Sequence, residues 1–163
     1  MKVMITGANG QLGHALQSTA PAHADLVALT RAELDIADED AVLALVAELT
    51  PDLIINAAAY TAVDRAETDV DMAYRVNEAG PGALAAAAAA HGARFIHVST
   101  DFVFNGEAGR PYAPDQATAP LGVYGASKRA GEEAVQRHAS SALIVRTAWV
   151  YGSTGNNFVR TML

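Results

Sequence analysis

A short apolar run near the N-terminus leads directly into three evenly spaced glycines, and this junction constrains the fold more than any other feature. Val3-Met4-Ile5 precedes Gly7-Ala8-Asn9-Gly10-Gln11-Leu12-Gly13, and a helical pattern follows from Gln11 to about Thr19. A strand that turns at glycines into a helix leaves free amides at the helix start, where they can hold phosphate groups. The spacing is one residue longer at the front than the common dinucleotide-binding pattern. It predicts a nucleotide-binding turn, with a purely structural glycine-rich turn as the alternative.

Further apolar runs of strand length follow, separated by helical patterns. They are apolar throughout instead of alternating, which is typical of a parallel sheet covered on both faces. With right-handed crossovers they predict a three-layer α/β fold with a doubly wound parallel sheet of the Rossmann type. The predicted strands are Leu26–Leu29, Leu53–Ile55, Phe95–Val98 and Leu143–Val145, and the predicted helices are one with Asp38 as its N-cap, one from Val70 to His91 interrupted near Gly80-Pro81-Gly82, and one from Tyr124 to about His138.

Composition excludes several classes of function. Eleven basic and eighteen acidic residues give a net charge of −7 without a basic run, so we expect no nucleic-acid partner. The chain has no cysteine, which excludes disulfides and thiolate sites and fits a cytoplasmic protein. No stretch approaches the roughly 20 apolar residues of a membrane helix. We also expect no metal site, because the histidines share no ligand spacing: His14, His23, His91, His97 and His138.

The 163 residues predict a single domain spanning 1–163. His97 falls inside a strand pattern and is expected to be a packed core residue. The acidic residues Asp64, Glu67, Asp69 and Asp71 are expected to form a solvated face. From Asn157 onward the sequence starts a helical pattern that stops before a C-cap.

The end of the second predicted strand bears on the choice of cofactor. An acidic residue that grips the ribose of NAD is expected there, but the sequence reads Leu29-Thr30-Arg31. Threonine and arginine suit a 2′-phosphate better than a free hydroxyl. The sequence therefore favours NADPH and leaves NADH open; the alternative for Arg31 is a solvated surface charge.

A phenol and an ammonium group occur four residues apart at the start of a helical pattern, as Tyr124 and Lys128. On a helix they share one face. Reduction of a ketone needs a proton on oxygen, which a phenol can give, and a neighbouring ammonium should lower the pKa of that phenol. Ser99-Thr100-Asp101 ends the fourth strand at the edge where such sheets bind ligands. Thr100 is thus a catalytic candidate, or alternatively a simple cap of the next loop.

Together these motifs resemble the extended short-chain dehydrogenase/reductase family, and within it the dTDP-4-dehydrorhamnose reductases. The resemblance covers essentially the whole chain. It is carried by the glycine turn and by Asn56–Asp64, Ser99–Phe104, Pro120–Gly125, Arg146–Gly152 and Gly155-Asn156-Asn157-Phe158.

The resemblance implies reduction of the C4 ketone of a dTDP-6-deoxy-hexulose by NADPH. Tyr124 would give the proton. Lys128 would lower the pKa of the Tyr124 phenol and bind ribose, and Thr100 would be a further hydroxyl that adjusts the site. Val63, Thr100, Asp101 and Trp149 would touch the sugar. The cofactor-binding set would be Gly7, Gly10, Gln11, Leu12 and Gly13 at the pyrophosphate, Thr30 and Arg31 at the 2′-phosphate, Asp35 and Ile36 at the adenine, and Ala59, Tyr60, Thr61, Tyr124 and Lys128 at the far ribose and nicotinamide.

Two departures from the family stand out. Phe102 replaces a common tyrosine, which removes one hydroxyl near the site. Family chains also continue into a smaller C-terminal substrate region, and we expect that region to be missing here. A small nucleotide sugar is the expected partner, and a homodimer stays open. Two other functions remain: a non-catalytic regulatory subunit of the same fold, and a nucleotide-sugar epimerase or dehydratase that holds NAD permanently.

Overall fold

A five-stranded parallel sheet forms the centre of the computed structural model, which describes residues 1–152, 154–155 and 157–163. Asn156, part of one family-like string, lies outside the described residues. The strands are β1 (Lys2–Thr6), β2 (Asp25–Leu29), β3 (Leu53–Asn56), β4 (Arg94–Thr100) and β5 (Leu143–Thr147). Their order in the sheet is β2-β1-β3-β4-β5, so β2 is added on one side of β1 and β3 to β5 on the other. The predicted fold class is confirmed.

Helices connect successive strands along the chain and pack against the sheet. Asp38 is the N-cap predicted for the second helix, because its Oδ1 accepts the N–H of Ala41 at 3.0 Å. No helix among the described residues is long and apolar enough to span a membrane. The helices are α1 (Gln11–Thr19), α2 (Glu39–Leu49), α3 (Val63–Ala66), α4 (Val70–Tyr74), α5 (Gly80–Ala90), α6 (Val123–His138) and α7 (Phe158–Met162), with a π-helical turn over Arg75–Ala79 and a 3₁₀ turn over Asp101–Val103.

The interruption expected near Gly80-Pro81-Gly82 lies one turn earlier. α4 passes through the π-helical turn into α5, and the N–H of Gly80 bonds to the carbonyl of Arg75, five residues back. Pro81 instead occupies the first turn of α5, where its missing N–H costs little. The widened turn brings the backbone of Asn77 against α6, where a side chain at Gly131 would collide with the Asn77 carbonyl.

Alanine makes the helix layer thin. α5 contacts both α2 and α6, and its alanines from Ala83 to Ala88 are mostly buried. Small side chains let these helices approach closely over the sheet. The strands also extend past the apolar runs into polar residues: Thr6, Asn56, Thr100 and Thr147 are the last residues of their strands. Thr100 and Thr147 line a cleft at the carboxyl edge of the sheet, whereas Thr6 and Asn56 are buried.

Candidate active site

A cleft of about 850 Å³ opens along the carboxyl edge of the sheet, where parallel folds bind their ligands. That volume lies within the range of pockets that hold cofactors and small molecules. One wall is the glycine turn and the segment after β2, and the other carries Thr100, Tyr124 and Lys128. The two predicted halves of the site therefore share one cavity.

The glycine turn forms a tight floor for the cleft. Gly7 has φ +74°, and a Cβ there would lie 2.7 Å from the backbone nitrogen of Ala58 on the neighbouring loop. A Cβ on Gly13 would collide with the Gly7 carbonyl. Gly10 differs: its φ is −77°, and a Cβ there would meet only the Gly7 carbonyl, at 3.2 Å. Gly7 and Gly13 thus serve the turn itself, whereas Gly10 keeps space open in front of it.

The start of α1 faces this space without a side-chain cap. Gly10 is the N-cap and has no side chain to bond the first amides of the helix. Gln11 is held from the opposite side, because its Oε1 accepts from Nδ2 of Asn157 at 2.8 Å. The segment before α7 therefore contacts the glycine turn and lies over one end of the cleft.

The predicted 2′-phosphate residues already have partners. Oε2 of Glu33 accepts both the N–H and the hydroxyl of Thr30, each at 2.8 Å. Arg31 pairs with Asp35 at 3.3 Å while remaining largely exposed. The two hydrogen bonds from Thr30 lower the pKa of the Glu33 carboxyl. A carboxylate is thus bound where the sequence predicted a phosphate contact.

Asn77, in the π-helical turn, joins the loop after β3 to α6. Its Oδ1 accepts the N–H of Tyr60 at 2.9 Å, and its Nδ2 donates to the Tyr60 carbonyl and to Oγ of Ser127, both at 3.0 Å. The Ser127 hydroxyl in turn donates to the Tyr124 carbonyl at 2.8 Å. One buried amide therefore fixes Tyr60 relative to the helix that carries Tyr124.

The environment of Tyr124 differs from the expectation. Burial raises the pKa of its phenol; a hydrogen bond with Thr100 opposes the rise, and the Asp101 carboxylate adds to it. The predicted lowering of this pKa by Lys128 is wrong for this structure, because desolvation is the dominant influence. Thr100 also accepts the N–H of Phe102 at 3.2 Å, so it caps the 3₁₀ turn as well as facing the phenol.

Lys128 is almost fully buried, with 2 % of its surface exposed. Its Nζ donates to the Val98 carbonyl at 2.8 Å and lies 3.4 Å from Nε2 of His97. Burial lowers the pKa of Lys128 to about 8, partly opposed by Glu132. Glu132 is itself paired with Arg146 of β5, at 2.9 and 2.6 Å.

Trp149 lies at the open side of the cleft. It is 69 % exposed, has φ +52°, and packs edge-on against Phe158 at 5.8 Å between ring centroids. A left-handed backbone is unusual for an aromatic residue, and such conformations concentrate at binding sites. No pattern in the sequence predicts this conformation.

The predicted cofactor, substrate and catalytic residues line the one cleft, with two exceptions. Gly13 lies beneath the turn and Thr30 behind Glu33, and neither lines the cleft. The other predicted cofactor and substrate residues all do, as do residues that the motifs missed, among them Arg65, Val98, Ser99, Thr147 and Gly155. Ser99 had a signal that went unused, since it stands in the same Ser-Thr-Asp string.

Three of the four acidic residues after β3 are exposed, as expected for a solvated face: Asp64, Glu67 and Asp71. Asp69 is half-buried, and its carboxylate accepts the Tyr60 hydroxyl. The exposed Glu67 also accepts the N–H of Val123. His97 is buried as predicted, yet it is hydrogen-bonded and not merely packed. In the part of the chain that the structure describes, no three His, Cys, Asp or Glu side chains are placed to hold a metal ion.

A family model described as the RmlD substrate binding domain matches residues 1–163. The chain belongs to this family. It is 50 % identical over 167 aligned residues to the dTDP-4-dehydrorhamnose reductase of Mycobacterium tuberculosis, covering 99 % of this chain and 54 % of the relative. It is 42 % identical over 163 residues to the spore coat polysaccharide biosynthesis protein SpsK of Bacillus subtilis, covering 99 % and 58 %.

Solved structures of this family have the same fold. The dTDP-4-dehydrorhamnose reductase of Bacillus anthracis in complex with NADP superposes with a TM-score of 0.96 at 44 % identity, over 99 % of this chain and 58 % of that one. A UDP-glucose 4-epimerase of Thermus thermophilus, at 22 % identity and a TM-score of 0.82, shows only that the fold is shared. The chain spans about half the length of the relatives it matches.

Proposed function

We propose that this chain is the NADPH-binding and catalytic part of a reductase that converts dTDP-4-dehydrorhamnose to dTDP-L-rhamnose. The observation that carries the proposal is the shared cleft: Thr100, Tyr124 and Lys128 line the same cavity as the glycine turn. The relatives named as dTDP-4-dehydrorhamnose reductases support this choice of substrate.

The cleft fits a dinucleotide on two observations. The uncapped start of α1, behind the open space at Gly10, offers backbone amides to a pyrophosphate. Ser99 lines the cleft, and its buried Oγ has no hydrogen-bond partner among the described residues; a polar group of a bound ligand would satisfy it. The neighbour solved with NADP agrees with NADPH as the cofactor; NADH remains the alternative.

The proposed binding residues follow the cleft from end to end. We assign the pyrophosphate to Gly10, Gln11 and Leu12, and the turn that supports them to Gly7 and Gly13. Arg31, with Thr30 behind it, would receive the 2′-phosphate, and Asp35 and Ile36 the adenine. Ala59, Tyr60, Thr61 and Lys128 would face the nicotinamide ribose.

When bound, NADPH would supply a hydride to the C4 carbon of the keto-sugar. Tyr124 would give its phenolic proton to the C4 oxygen, so that a ketone, a hydride and a proton yield the alcohol. With its pKa raised from the ordinary value, the phenol is protonated at neutral pH and so has a proton to give. Thr100 shares a hydrogen bond with the phenol and would hold its orientation.

The sugar would lie between Tyr124 and the exposed ring of Trp149. Val63 and Asp101 line the cavity near them. An indole face can stack on the apolar face of a 6-deoxy sugar, while Asp101 can accept a hydroxyl. A cytoplasmic location, which the absence of cysteine fits, stays a prediction. A homodimer stays a prediction.

The experiment that tests the proposal follows deuterium from C4-deuterated NADPH into the sugar. It uses the chain alone and joined to the remaining segment of the Bacillus anthracis relative, with dTDP-4-dehydrorhamnose as substrate and mass spectrometry of the product. We expect deuterated dTDP-rhamnose and a loss of about 10²-fold or more with Tyr124→Phe. Tyr112→Phe, a tyrosine stacked on Phe104 away from the cleft, is the control. An unchanged rate with Tyr124→Phe would refute the acid role.

A further inference from the structure

Four buried polar side chains form a line behind the cleft, from β1 through β3 and β4 to α6. Thr6 donates to Oδ1 of Asn56 at 2.7 Å, Nδ2 of Asn56 lies 3.1 Å from Nδ1 of His97, and Nε2 of His97 lies 3.4 Å from Nζ of Lys128. None of the four exposes more than 2 % of its surface. Solvent therefore does not mediate these contacts, and each atom must be a donor or an acceptor for its neighbour.

The direction of each hydrogen bond follows from one backbone group. The N–H of Ala58, which can only donate, lies 3.1 Å from Oδ1 of Asn56. This fixes the amide orientation, so Nδ2 of Asn56 faces His97 and can only donate. Nδ1 of His97 must accept. A neutral imidazole with a lone pair on Nδ1 carries its proton on Nε2.

The Nε2–H of His97 then points at Nζ of Lys128. A lysine ammonium has three donors and no acceptor, so it cannot bond to this N–H. An uncharged amine has a lone pair that can. The Val98 carbonyl accepts from Nζ in either state. Because Asn56 fixes the proton of His97 on Nε2, Lys128 can accept this N–H only by losing a proton and becoming an uncharged amine.

We propose that His97 is a positioning residue for Lys128: its Nε2–H tautomer, imposed by Asn56, donates to Nζ and favours the uncharged amine. This inference rests on the proposed function in one respect, namely that the charge on Lys128 matters because Lys128 would face the nicotinamide ribose. The tautomer contributes to the fraction of Lys128 that is charged near neutral pH, and with it to the charge at that end of the cleft.

The surrounding charges are consistent with this assignment. Burial and the nearby Lys128 lower the pKa of His97 to about 2, so the ring is neutral. The other titratable groups around Lys128 are Tyr124 and Glu132 on α6; Asp101 lies beyond Tyr124. Glu132 favours the ammonium, but its carboxylate is shared with Arg146. The burial of Nζ and the Nε2–H therefore oppose Glu132.

NMR tests this on the 163-residue chain without any activity assay. The chain has only two lysines, Lys2 and Lys128, so a Lys2→Arg variant assigns both ¹³Cε resonances. Imidazole ¹⁵N shifts report the tautomer of His97, which we expect to be Nε2–H throughout the neutral range. We expect the Lys128 resonance to titrate with a midpoint near the pKa of about 8, below the ordinary lysine value of 10.5. An Nδ1–H tautomer, or a Lys128 midpoint no lower than 10.5, would overturn the proposal.

The variant Asn56→Asp reverses the tautomer by design. Its carboxylate can accept from Thr6, from the Ala58 N–H and from Nδ1–H of His97, which leaves the Nε2 lone pair to accept from Lys128. We expect the ¹⁵N pattern to invert and the Lys128 midpoint to rise by about one pH unit or more. In a His97→Phe background the Asn56→Asp substitution acts only through its charge, so the rise should be smaller; an equal rise would overturn the proposal. Failure of keto-sugar reduction would leave these spectra unchanged, so the two proposals can fail separately.

Discussion

The carboxylate of Glu67 accepts the backbone N–H of Val123 at 2.8 Å. Val123 is the first residue of α6, so a side chain from the loop after α3 caps the helix that carries Tyr124 and Lys128. Gly122, the N-cap, has no side chain to do this, and a Cβ there would lie 2.7 Å from the Glu67 carboxylate. The start of α6 is thus fixed by a residue distant in sequence.

Glu67→Ala should lower the free energy of unfolding by about 1 kcal/mol, because it removes the cap from the first turn of α6. Urea unfolding measures the loss. Glu48→Ala, at an exposed site near the end of α2, is the matched control and should change little. Equal losses for the two variants would show that the Glu67–Val123 contact contributes nothing specific.

Asn77→Ala should be more damaging, because it leaves the N–H and the carbonyl of Tyr60 without these partners in a partly buried site. It also removes one of the two hydrogen bonds of the Ser127 hydroxyl, which still donates to the Tyr124 carbonyl. Unsatisfied buried groups cost about 1–3 kcal/mol each. Chemical unfolding should show a clear loss, whereas Asn105→Ala, in the loop after β4, should not. A loss at Asn77 no larger than at Asn105 would contradict the bridging role.

Glu33→Gln should shift cofactor preference toward NADPH. The negatively charged carboxylate of Glu33 is hydrogen-bonded to Thr30. Thr30 is next to Arg31, where we propose that the 2′-phosphate binds. Removing that charge should tighten NADPH binding several-fold and leave NADH nearly unchanged. Calorimetric Kd values for both cofactors, with Glu39→Gln as the control, measure the effect. If both affinities changed by the same factor, Glu33 would not discriminate between them.

Acid should destabilise the fold through His97. Its pKa is about 2 in the folded chain against an ordinary 6.5, so below pH 6.5 the unfolded chain binds the proton that the folded chain refuses. Stability therefore falls as pH drops from 6.5, by up to about 1.4 kcal/mol per pH unit. His97→Phe should flatten this dependence in urea unfolding just below pH 6.5, and the exposed His14→Phe should not. An unchanged slope in His97→Phe would contradict the buried neutral ring.

The sequence predicted the parts of the site that obey local rules. A glycine turn between a strand and a helix, and Tyr124 with Lys128 one helical turn apart, can be recognised without coordinates, and the carboxyl ends of parallel strands bring them together. The contacts that orient them could not be recognised. Asn56 with His97, and Glu67 with Val123, join residues 41 and 56 positions apart, with no spacing that marks them.

Electrostatics was the least predictable property. The spacing of Tyr124 and Lys128 suggested a lowered phenol pKa, but burial raises it. How far a side chain is desolvated depends on the packing of α6 against β4, which the motif does not encode. The hydrogen bonds between Glu33 and Thr30 likewise depend on the conformation of the turn after β2, which the sequence motif does not specify.

The central claim is that one cleft holds a reduced dinucleotide beside Tyr124 and Lys128. Trp149 is the only tryptophan and lines that cleft, so titration with NADPH should quench its emission by energy transfer to the reduced nicotinamide. We expect saturable quenching in the native chain. It should be lost in Gly10→Val, whose side chain would fill the phosphate space at a backbone angle that valine tolerates. No saturable quenching in the native chain, or equal quenching in a folded Gly10→Val variant, would contradict the account.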